Sequence, residues 1–304
     1  MREPIARGAG PWPPTNEEQV VHAWMVERLG PQWDRREARQ IARLCLDAVS
    51  GTTRGERLVQ GYAFRESELD VLAVHAQRIR RGEPTQYVLG NTAFDGLMLV
   101  CDHRALIPRP ETEELVVRVS GWLQERGGES AEGFRILDVG TGSGCLALAL
   151  AHRFPQAQVT GLDVSEDALD LARENGLVQG LEVDWLHRDF LRSWADLGAF
   201  DVVISNPPYI PQRERLALAS HVIHHEPALA LFVPDERPLL HYEALTHAAE
   251  HGLLHLGGLL AMECHTDFVA EVAALGTKDR WRRVDSLEDL QGRPRFVLRE
   301  RWPD

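Results

Sequence analysis

The sequence predicts an α/β fold built on a mainly parallel sheet with helices on both faces. From Phe134 onward, short apolar runs alternate with segments of helical periodicity, as in a chain that crosses repeatedly over one sheet. A glycine-rich turn joins the first of these runs to an apolar helix. Since 44% of the residues are apolar and 26% are charged, the composition is that of an ordinary globular protein.

The first part of the chain predicts a small helical module. Residues 15–81 are rich in Glu, Arg, Ala and Leu, with apolar residues at helical spacing. Glycine and proline then break this periodicity, and an Asp-Gly dipeptide between alternating residues indicates a β-hairpin. We therefore expect a helical domain at 1–82, a hairpin linker at 83–108 and an α/β domain at 109–304.

Seven segments of the α/β domain are strand candidates, and helices separate several of them. The strand candidates are RILDV, QVTGLDV, LEVDWLH, FDVVIS, GLLAMEC, WRRVDSL and RFVLRER. The helix candidates are SGCLALALAHRF, SEDALDLARENG, PLLHYEALTHAAEHG and TDFVAEVAALG. In such a sheet, ligands bind at the carboxyl ends of the strands.

The charge of the chain argues against a nucleic-acid substrate. The formal net charge is −13, and Lys278 is the single lysine. Such a surface repels a phosphate backbone unless a local basic patch overrides the field of the whole chain. The arginine-rich stretches RRGE and KDRWRR look like solvated edges, so we expect no direct nucleic-acid binding.

The cysteine and apolar patterns indicate a cytoplasmic protein. The cysteines are scattered without a CxxC pair, so neither a zinc site nor a disulfide framework is predicted. No apolar run approaches the roughly 18 residues that span a bilayer, and the N-terminus lacks the apolar segment of a signal peptide. We predict no membrane partner.

One histidine-rich segment raises the question of a metal site. His221, His224 and His225 form an HxxHH pattern, but no matched acidic or cysteine partner stands at metal-ligand spacing. We therefore predict that the protein holds no metal.

The first predicted strand ends in a loop that suits close approach of a ligand. Its glycines allow a tight turn, and the following helix offers free N–H groups. The spacing is GxGxG rather than the GxGxxG of dinucleotide-binding proteins, which weakens a diphosphate interpretation. The candidate cofactor-binding residues of this loop are Asp138, Gly140, Thr141, Gly142, Ser143 and Gly144.

Acidic residues follow the next two predicted strands. Asp163 ends the second strand, where a carboxylate can accept hydrogen bonds from both hydroxyls of a ribose. Asp189 and Phe190 follow the third strand, where they offer an adenine ring one polar contact and one apolar face. Together with the glycine loop, these residues stand at successive strand ends in the order that a nucleoside requires.

This combination resembles the class I S-adenosylmethionine-dependent methyltransferases, whose LDVGTGSG, LDVS and RDF segments line the cofactor. The resemblance implies a Rossmann-like sheet of seven strands and S-adenosyl-L-methionine as the cofactor. The segment SNPPYIP follows the fourth predicted strand. In such enzymes, an (N/D)PPY motif is typical of those that methylate a planar nitrogen, so the resemblance implies this type of substrate.

The residues of this motif suit that chemistry. The nitrogen of an amide or aromatic amine is a poor nucleophile because its lone pair is delocalised. Two acceptors, the Asn206 side-chain oxygen and the Pro207 carbonyl, can bind the two N–H groups and aim the remaining lobe at the methyl donor. The prolines add rigidity. We expect Asn206, Pro207 and Tyr209 to act in catalysis, Asn206 to Tyr209 to bind substrate, and Asn206 also to contact the cofactor.

Further segments narrow the resemblance to the protein-glutamine methyltransferase family, in its release-factor branch. They are GEPTQYVLG, ALIPRPETEELV, HHEPALALF and GRPRFVL. The resemblance implies methylation of the glutamine side-chain amide in the Gly-Gly-Gln motif of class 1 peptide chain release factors, which are thus the expected protein partner. It also implies that the N-terminal module helps to dock this substrate. A monomer is expected.

Three alternatives stay open at this point. The chain could methylate glutamine in a ribosomal protein, or adenine or cytosine in a nucleic acid, or it could bind cofactor without catalysis. Phe190 stands where some relatives have tryptophan, and Cys264 with His265 replaces an Ile-Gly pair of the family pattern. Arg109 and Glu111 are as well explained by a structural ion pair, so we assign them no catalytic role.

Overall fold

A computed structural model describes residues 10–127 and 131–302. The chain forms two compact units. The first contains the described residues up to Gly90 together with Ser220–His225, and the second contains Asn91–Ala219 and the described residues from Glu226 onward. The domain boundaries predicted at residues 82 and 108 stay predictions.

The first unit is helical, which confirms the helical module predicted from the sequence. Asp34 caps the second helix through its side chain, and Thr53 with Glu56 forms a capping box at the third. Apolar residues at helical spacing, among them Met25 and Leu72, fill its core. The helices are α1 Glu18–Leu29, α2 Arg35–Ser50, α3 Arg54–Gln60, α4 Glu66–Arg80, α5 Thr85–Leu89 and, later in the chain, α9 Ser220–His225.

A buried arginine joins three of these helices. The Arg57 side chain is fully buried and donates to Glu18 over 2.7 Å and to Asp47 over 2.7 Å. Loss of either carboxylate would leave part of a buried cation unpaired, which is costly. The pair with Glu18 therefore fixes α3 against α1.

The second unit begins with the predicted hairpin, formed by β1 Asn91–Phe94 and β2 Leu97–Val100. Asp95 and Gly96 both have positive φ, as a two-residue hairpin turn requires. Phe94 and Leu99 lie in the core beside the main sheet. Asn175 accepts from the Val100 N–H over 2.6 Å and donates to the Ser143 carbonyl over 3.0 Å. The hairpin is thus fastened to the glycine-rich loop.

The other elements of this unit form the α/β domain. Its strands are β3 Arg135–Val139, β4 Gln158–Asp163, β5 Asp184–His187, β6 Phe200–Ser205, β7 Ile210–Pro211, β8 Phe232–Val233, β9 Leu254–Glu263, β10 Trp281–Glu288 and β11 Pro294–Arg301. Its helices are α6 Pro110–Gly127, α7 Cys145–Arg153, α8 Glu166–Gln179, α10 Ala228–Leu231, α11 Leu240–Ala248 and α12 Val269–Ala274. Short 3-10 helices are Gln212–Ala217, Thr266–Phe268 and Lys278–Arg280.

In the described part of the chain, the main sheet has seven strands in the order β10-β11-β9-β6-β3-β4-β5. The strands from β9 to β5 run parallel, and β11 and β10 pair antiparallel at one end. This arrangement confirms the predicted class I methyltransferase sheet. The carboxyl ends of β4, β3, β6 and β9 consequently stand side by side along one edge.

Successive strand residues point to opposite sides of the sheet, and helices bury both faces. Ile136 packs on the side of α6 and α7, whereas Leu137 packs on the side of α11 and α12. Val202 and Val203 divide in the same way on β6. This explains why the strands are almost continuously apolar in sequence.

Gly161 in the middle of β4 provides a test of this packing. A Cβ there would lie 2.5 Å from the Trp185 ring and 2.9 Å from Thr141 Oγ1. We expect Gly161→Ala to lower the free energy of unfolding by about 1–3 kcal/mol through overpacking. Urea unfolding measures the change. Gly121→Ala is the matched control, since Gly121 is exposed on α6 with open space around it, and the alanine should stabilise by about 0.5–1 kcal/mol. Equal stability of the two variants would contradict this account.

Candidate active site

A cavity of about 300 Å³ opens at the carboxyl ends of β3, β4 and β6. This volume suits a small-molecule site. The backbone segment 104–109 and residues of α10 and α11 complete its walls. The predicted site residues that line it are Gly140, Thr141, Gly142, Ser143, Asp163, Asp189, Phe190, Asn206, Pro207 and Pro208.

The glycine-rich loop folds around the end of β4. The N–H groups of Gly140 and Thr141 both donate to the Leu162 carbonyl, over 2.8 and 2.9 Å. Gly144 caps α7 with φ of 81°, and a Cβ there would lie 2.8 Å from the Trp185 ring. Only glycine satisfies both conditions, so the loop can pass close to a ligand and enter the helix at once.

Asp163 lies half-buried at the tip of β4. Its Oδ2 accepts from the Gly142 N–H over 2.8 Å, and its Oδ1 accepts from the Ser165 N–H over 2.9 Å. Burial raises the pKa of this carboxyl, and the backbone hydrogen bonds oppose the rise. Because each carboxylate oxygen has two acceptor sites, both oxygens can still accept a hydroxyl from the cavity. The position therefore fits a ribose.

Asp189 and Phe190 lie farther along the same edge. Phe190 is buried and presents its ring at the cavity wall. Asp189 accepts from the Leu191 N–H over 3.0 Å and pairs with Arg192 over 2.9 Å. An apolar ring beside a carboxylate fits the base of a nucleoside.

Three predicted residues lie away from the cavity wall. Gly144 is the helix cap described above. Tyr209 directs its hydroxyl to Arg295 and Glu263, over 2.9 and 3.4 Å. Asp138 is fully buried beneath the loop, where it accepts from the Thr141 hydroxyl over 2.6 Å and from the Ala147 N–H over 3.3 Å. These hydrogen bonds hold the glycine-rich loop against the start of α7.

The buried Asp138 predicts a pH dependence of stability. Burial raises its pKa from 3.8 to about 7. Between these values the folded protein keeps a proton that the unfolded chain has lost, so the contribution of Asp138 to stability falls as pH rises. We expect Asp138→Asn, which cannot ionise, to lose less stability than the wild type between pH 3.8 and about 7.

Urea unfolding of both proteins at several pH values across that interval measures the difference. The comparison cancels the other titrating groups that the two proteins share. Parallel pH profiles would show that Asp138 does not carry the effect.

Asn206 stands at the tip of β6, next to the end of β3. The preceding Ser205 hydroxyl donates to the Val139 carbonyl over 2.6 Å, which ties the two strand tips together. The Asn206 Nδ2 group donates to Thr112 Oγ1 over 3.2 Å. Pro207, the next residue, is buried and also lines the cavity. The amide is thereby held at the cavity wall by one strand and by the first turn of α6.

A buried polar network behind Asn206 was not predicted from the sequence. Glu263, at the end of β9, is fully buried and accepts from the Thr112 hydroxyl over 2.7 Å. Arg295 pairs with its other oxygen over 2.8 Å. Burial raises the pKa of Glu263, and the Arg295 guanidinium opposes the rise. The GRPRFVL segment contains Arg295, but 32 residues separate it from Glu263 and no local pattern connects the two.

A second missed residue, Glu226, fixes the segment over the cavity. Its side chain is fully buried, accepts from the Ile107 N–H over 3.1 Å and pairs with Arg109 over 2.5 Å. Glu111 pairs with Arg293 over 3.2 Å. Arg109 and Glu111 therefore each have a different ion-pair partner, both supplied by segments named in the family-like motifs.

Among the described side chains, no cluster of three or more His, Cys, Asp or Glu residues could hold a metal ion. The side chain of His221, part of the HxxHH pattern, lies outside that described set.

Comparison with curated proteins identifies the family. The chain is 41% identical over 243 residues to the release factor glutamine methyltransferase of Chlorobaculum tepidum, an alignment that covers 77% of this chain and 82% of that protein. It is 36% identical to the enzyme of the same name from Deinococcus radiodurans, over 86% of this chain and 90% of the relative. The chain belongs to the release factor glutamine methyltransferase family.

Two further comparisons match part of the chain. The family profile described as Methyltransferase small domain matches residues 123–230. A solved protein-(glutamine-N5) methyltransferase (release factor-specific) from Alicyclobacillus acidocaldarius is 26% identical, with a TM-score of 0.41, over 65% of this chain and 95% of that one.

The cofactor that the sequence resemblance implies is S-adenosyl-L-methionine. The cavity residues fit it. Asp163 keeps acceptor sites for a ribose, Phe190 offers a flat apolar contact, and Gly142 lines the wall without a side chain. These residues would hold the nucleoside part of the cofactor beside Asn206.

Proposed function

We propose that this protein transfers a methyl group from S-adenosyl-L-methionine to the side-chain amide nitrogen of the glutamine in the Gly-Gly-Gln motif of class 1 peptide chain release factors. The observation that carries the proposal is the placement of Asn206, Pro207 and Pro208 in the wall of the cavity that fits the cofactor. Membership of the release factor glutamine methyltransferase family supports the choice of substrate.

The chain's own residues explain how a weak nucleophile can react. Asn206 donates its Nδ2 hydrogen to Thr112, so its Oδ1 is available to accept an N–H from the substrate amide. The carbonyl of Pro207 can accept the second N–H. With both hydrogens held, the nitrogen lone pair turns out of conjugation and toward the cofactor side of the cavity.

When bound, S-adenosyl-L-methionine supplies a methyl group made electrophilic by a positively charged sulfur. Each neutral hydrogen bond from the protein contributes only about 0.5–1.5 kcal/mol net. By contrast, two well-aligned reactants react as if one were present at an effective molarity of about 10⁵ M or more. The strand-tip residues therefore act mainly by orientation. The alkylated nitrogen is acidic and can release its proton after the transfer, so a base is not required beforehand.

Acidity of the chain favours a protein over a nucleic acid as substrate. With a net charge of −13, long-range electrostatics oppose approach of a phosphate backbone. We also propose that the enzyme is a cytoplasmic monomer and that the helical unit helps to dock the release factor. No helix in the described ranges is both long and apolar enough to cross a membrane.

The deciding experiment supplies a labelled methyl donor with a release factor, a ribosomal-protein mixture and unmodified DNA. Mass spectrometry then locates the label. We expect it on the glutamine of the Gly-Gly-Gln motif. Label on ribosomal proteins alone would show that the enzyme has a different protein substrate. Label on DNA would overturn the protein-substrate proposal. Absence of label would indicate a protein that binds the cofactor without catalysing methyl transfer.

A further inference from the structure

We propose that Glu263 and Thr112 form a positioning relay that decides which end of the Asn206 amide faces the substrate. The inference rests on the proposed function, since it concerns how the substrate amide is held. Neither residue carries out the methyl transfer. Their role is to keep the Asn206 oxygen, rather than its nitrogen, available to the substrate.

Glu263 sets the direction of the hydrogen bonds in the relay. This residue is fully buried at the end of β9, and Arg295 supplies the countercharge over 2.8 Å. A carboxylate can only accept hydrogen bonds. The Thr112 hydroxyl, 2.7 Å from Glu263 Oε2, must therefore point its single hydrogen at the carboxylate.

The direction of this hydrogen bond determines the next one. With its hydrogen used, Thr112 Oγ1 can only accept from the group on its other side. That group is the Asn206 amide, 3.2 Å away, which must therefore present its Nδ2. Since the amide is planar, Oδ1 then points away from Thr112.

The opposite orientation is strongly disfavoured. If Oδ1 faced Thr112, the hydroxyl would have to donate to it, and two lone pairs would then face each other between Thr112 and Glu263. A buried carboxylate oxygen would also lose a charge-assisted hydrogen bond. A flipped amide would present N–H groups to the N–H groups of the substrate, and binding in the reactive orientation would fail.

The same carboxylate also orients the end of the motif. Glu263 Oε1 and Arg295 together hold the Tyr209 hydroxyl, over 3.4 and 2.9 Å. One buried group thus fixes both the first and the last residue of Asn206-Pro207-Pro208-Tyr209. It does so from β9, the strand paired with β6.

Two substitutions at Thr112 separate this role from simple packing. Thr112→Val keeps the shape but loses the hydroxyl, whereas Thr112→Ser keeps the hydroxyl but loses a methyl group. The relay predicts that valine lowers kcat about tenfold, the loss expected for one uncharged hydrogen bond, with little change in cofactor affinity. Serine should restore most of the activity. A packing role predicts the reverse order, because Thr112 is buried and serine leaves a cavity.

The double variant with Asn206→Ala sharpens the test. Without the amide there is nothing left to orient, so Thr112→Val should cause no further loss of kcat in that background. An undiminished loss in the double variant, or a valine variant as active as the wild type, would overturn the relay. Glu263→Gln provides a second route if valine impairs folding, since its amide can reverse the polarity at Thr112, and we expect a lower kcat there also.

A readout without turnover keeps the relay separate from the substrate assignment. The side-chain amide of Asn206 can be followed by ¹⁵N–¹H nuclear magnetic resonance, with its signal identified by its loss in Asn206→Ala. One proton should be protected from hydrogen exchange in the wild type and exchange faster in Thr112→Val. Protection without methylation of a release factor would support the relay and reject the proposed substrate, whereas equal exchange in both proteins would reject the relay.

Discussion

Replacing Asn206 with alanine is expected to lower kcat for release-factor methylation by about 10²- to 10³-fold, the size of effect seen when one preorganised hydrogen-bonding group is removed from an active site. The variant loses the only side-chain oxygen proposed to hold the substrate amide. Cofactor affinity should change only moderately, because Asp163, Phe190 and the glycine-rich loop remain in the cavity wall. Steady-state kinetics with saturating cofactor, together with calorimetric binding of the cofactor, separate the two effects.

Asn206→Gln is the matched control, because it keeps the carboxamide group but changes where that group lies. It retains the carboxamide but adds a methylene group, so the oxygen no longer lies where the strand tip places it and the contact with Thr112 over 3.2 Å is lost. We expect it to be nearly as impaired as the alanine variant. Near-normal turnover in Asn206→Ala would refute the assigned role, and wild-type activity in the glutamine variant would show that exact placement is unimportant.

The sheet could be predicted from sequence because each strand is recognisable from its own residues. Strands buried on both faces are continuous apolar runs, and the predicted FDVVIS and RILDV segments coincide with β6 and β3. One strand boundary differs from the prediction. β5 begins at Asp184 rather than at Leu181, because the Leu181 N–H instead closes the end of α8 by donating to the Gly176 carbonyl.

Helix α6 was not predicted as a helix, although its beginning carries a local signal. Pro110 occupies the first helical position and Glu111 and Glu113 follow in the first turn, as helix N-termini favour. Attention to the proline and the acids could have placed Thr112 on the first turn of a helix.

The buried network could not be predicted from sequence by any local rule. Thr112 and Glu263 are 151 residues apart, and Ile107 and Glu226 are 119 apart. No periodicity or spacing connects such pairs. Thr112 meets Glu263 only after the sheet order has brought β9 beside β6. The strand-tip residues with a recognisable motif, such as Asn206, could be predicted, whereas the contacts that orient them depend on the three-dimensional packing.

Replacing Asp163 with alanine is expected to weaken cofactor binding by about 10²-fold. Hydrogen bonds to a charged group contribute about 1.5–3 kcal/mol each, and tenfold in affinity corresponds to about 1.4 kcal/mol. The alanine removes the acceptor for the ribose and also leaves the Gly142 N–H without its partner at 2.8 Å, so the loop loses part of its order. Calorimetric titration with S-adenosyl-L-methionine measures the dissociation constant directly.

Asp184→Ala on the neighbouring strand is the control, because it removes the same charge from an exposed position outside the cavity wall. Its dissociation constant should match that of the wild type. In Asp163→Ala the lost activity should return largely at saturating cofactor, since the carboxylate is placed to hold the nucleoside and not the reacting nitrogen. A large fall in kcat that saturation does not correct would instead assign Asp163 to the chemical step, and equal affinity in the two variants would remove it from the cofactor site.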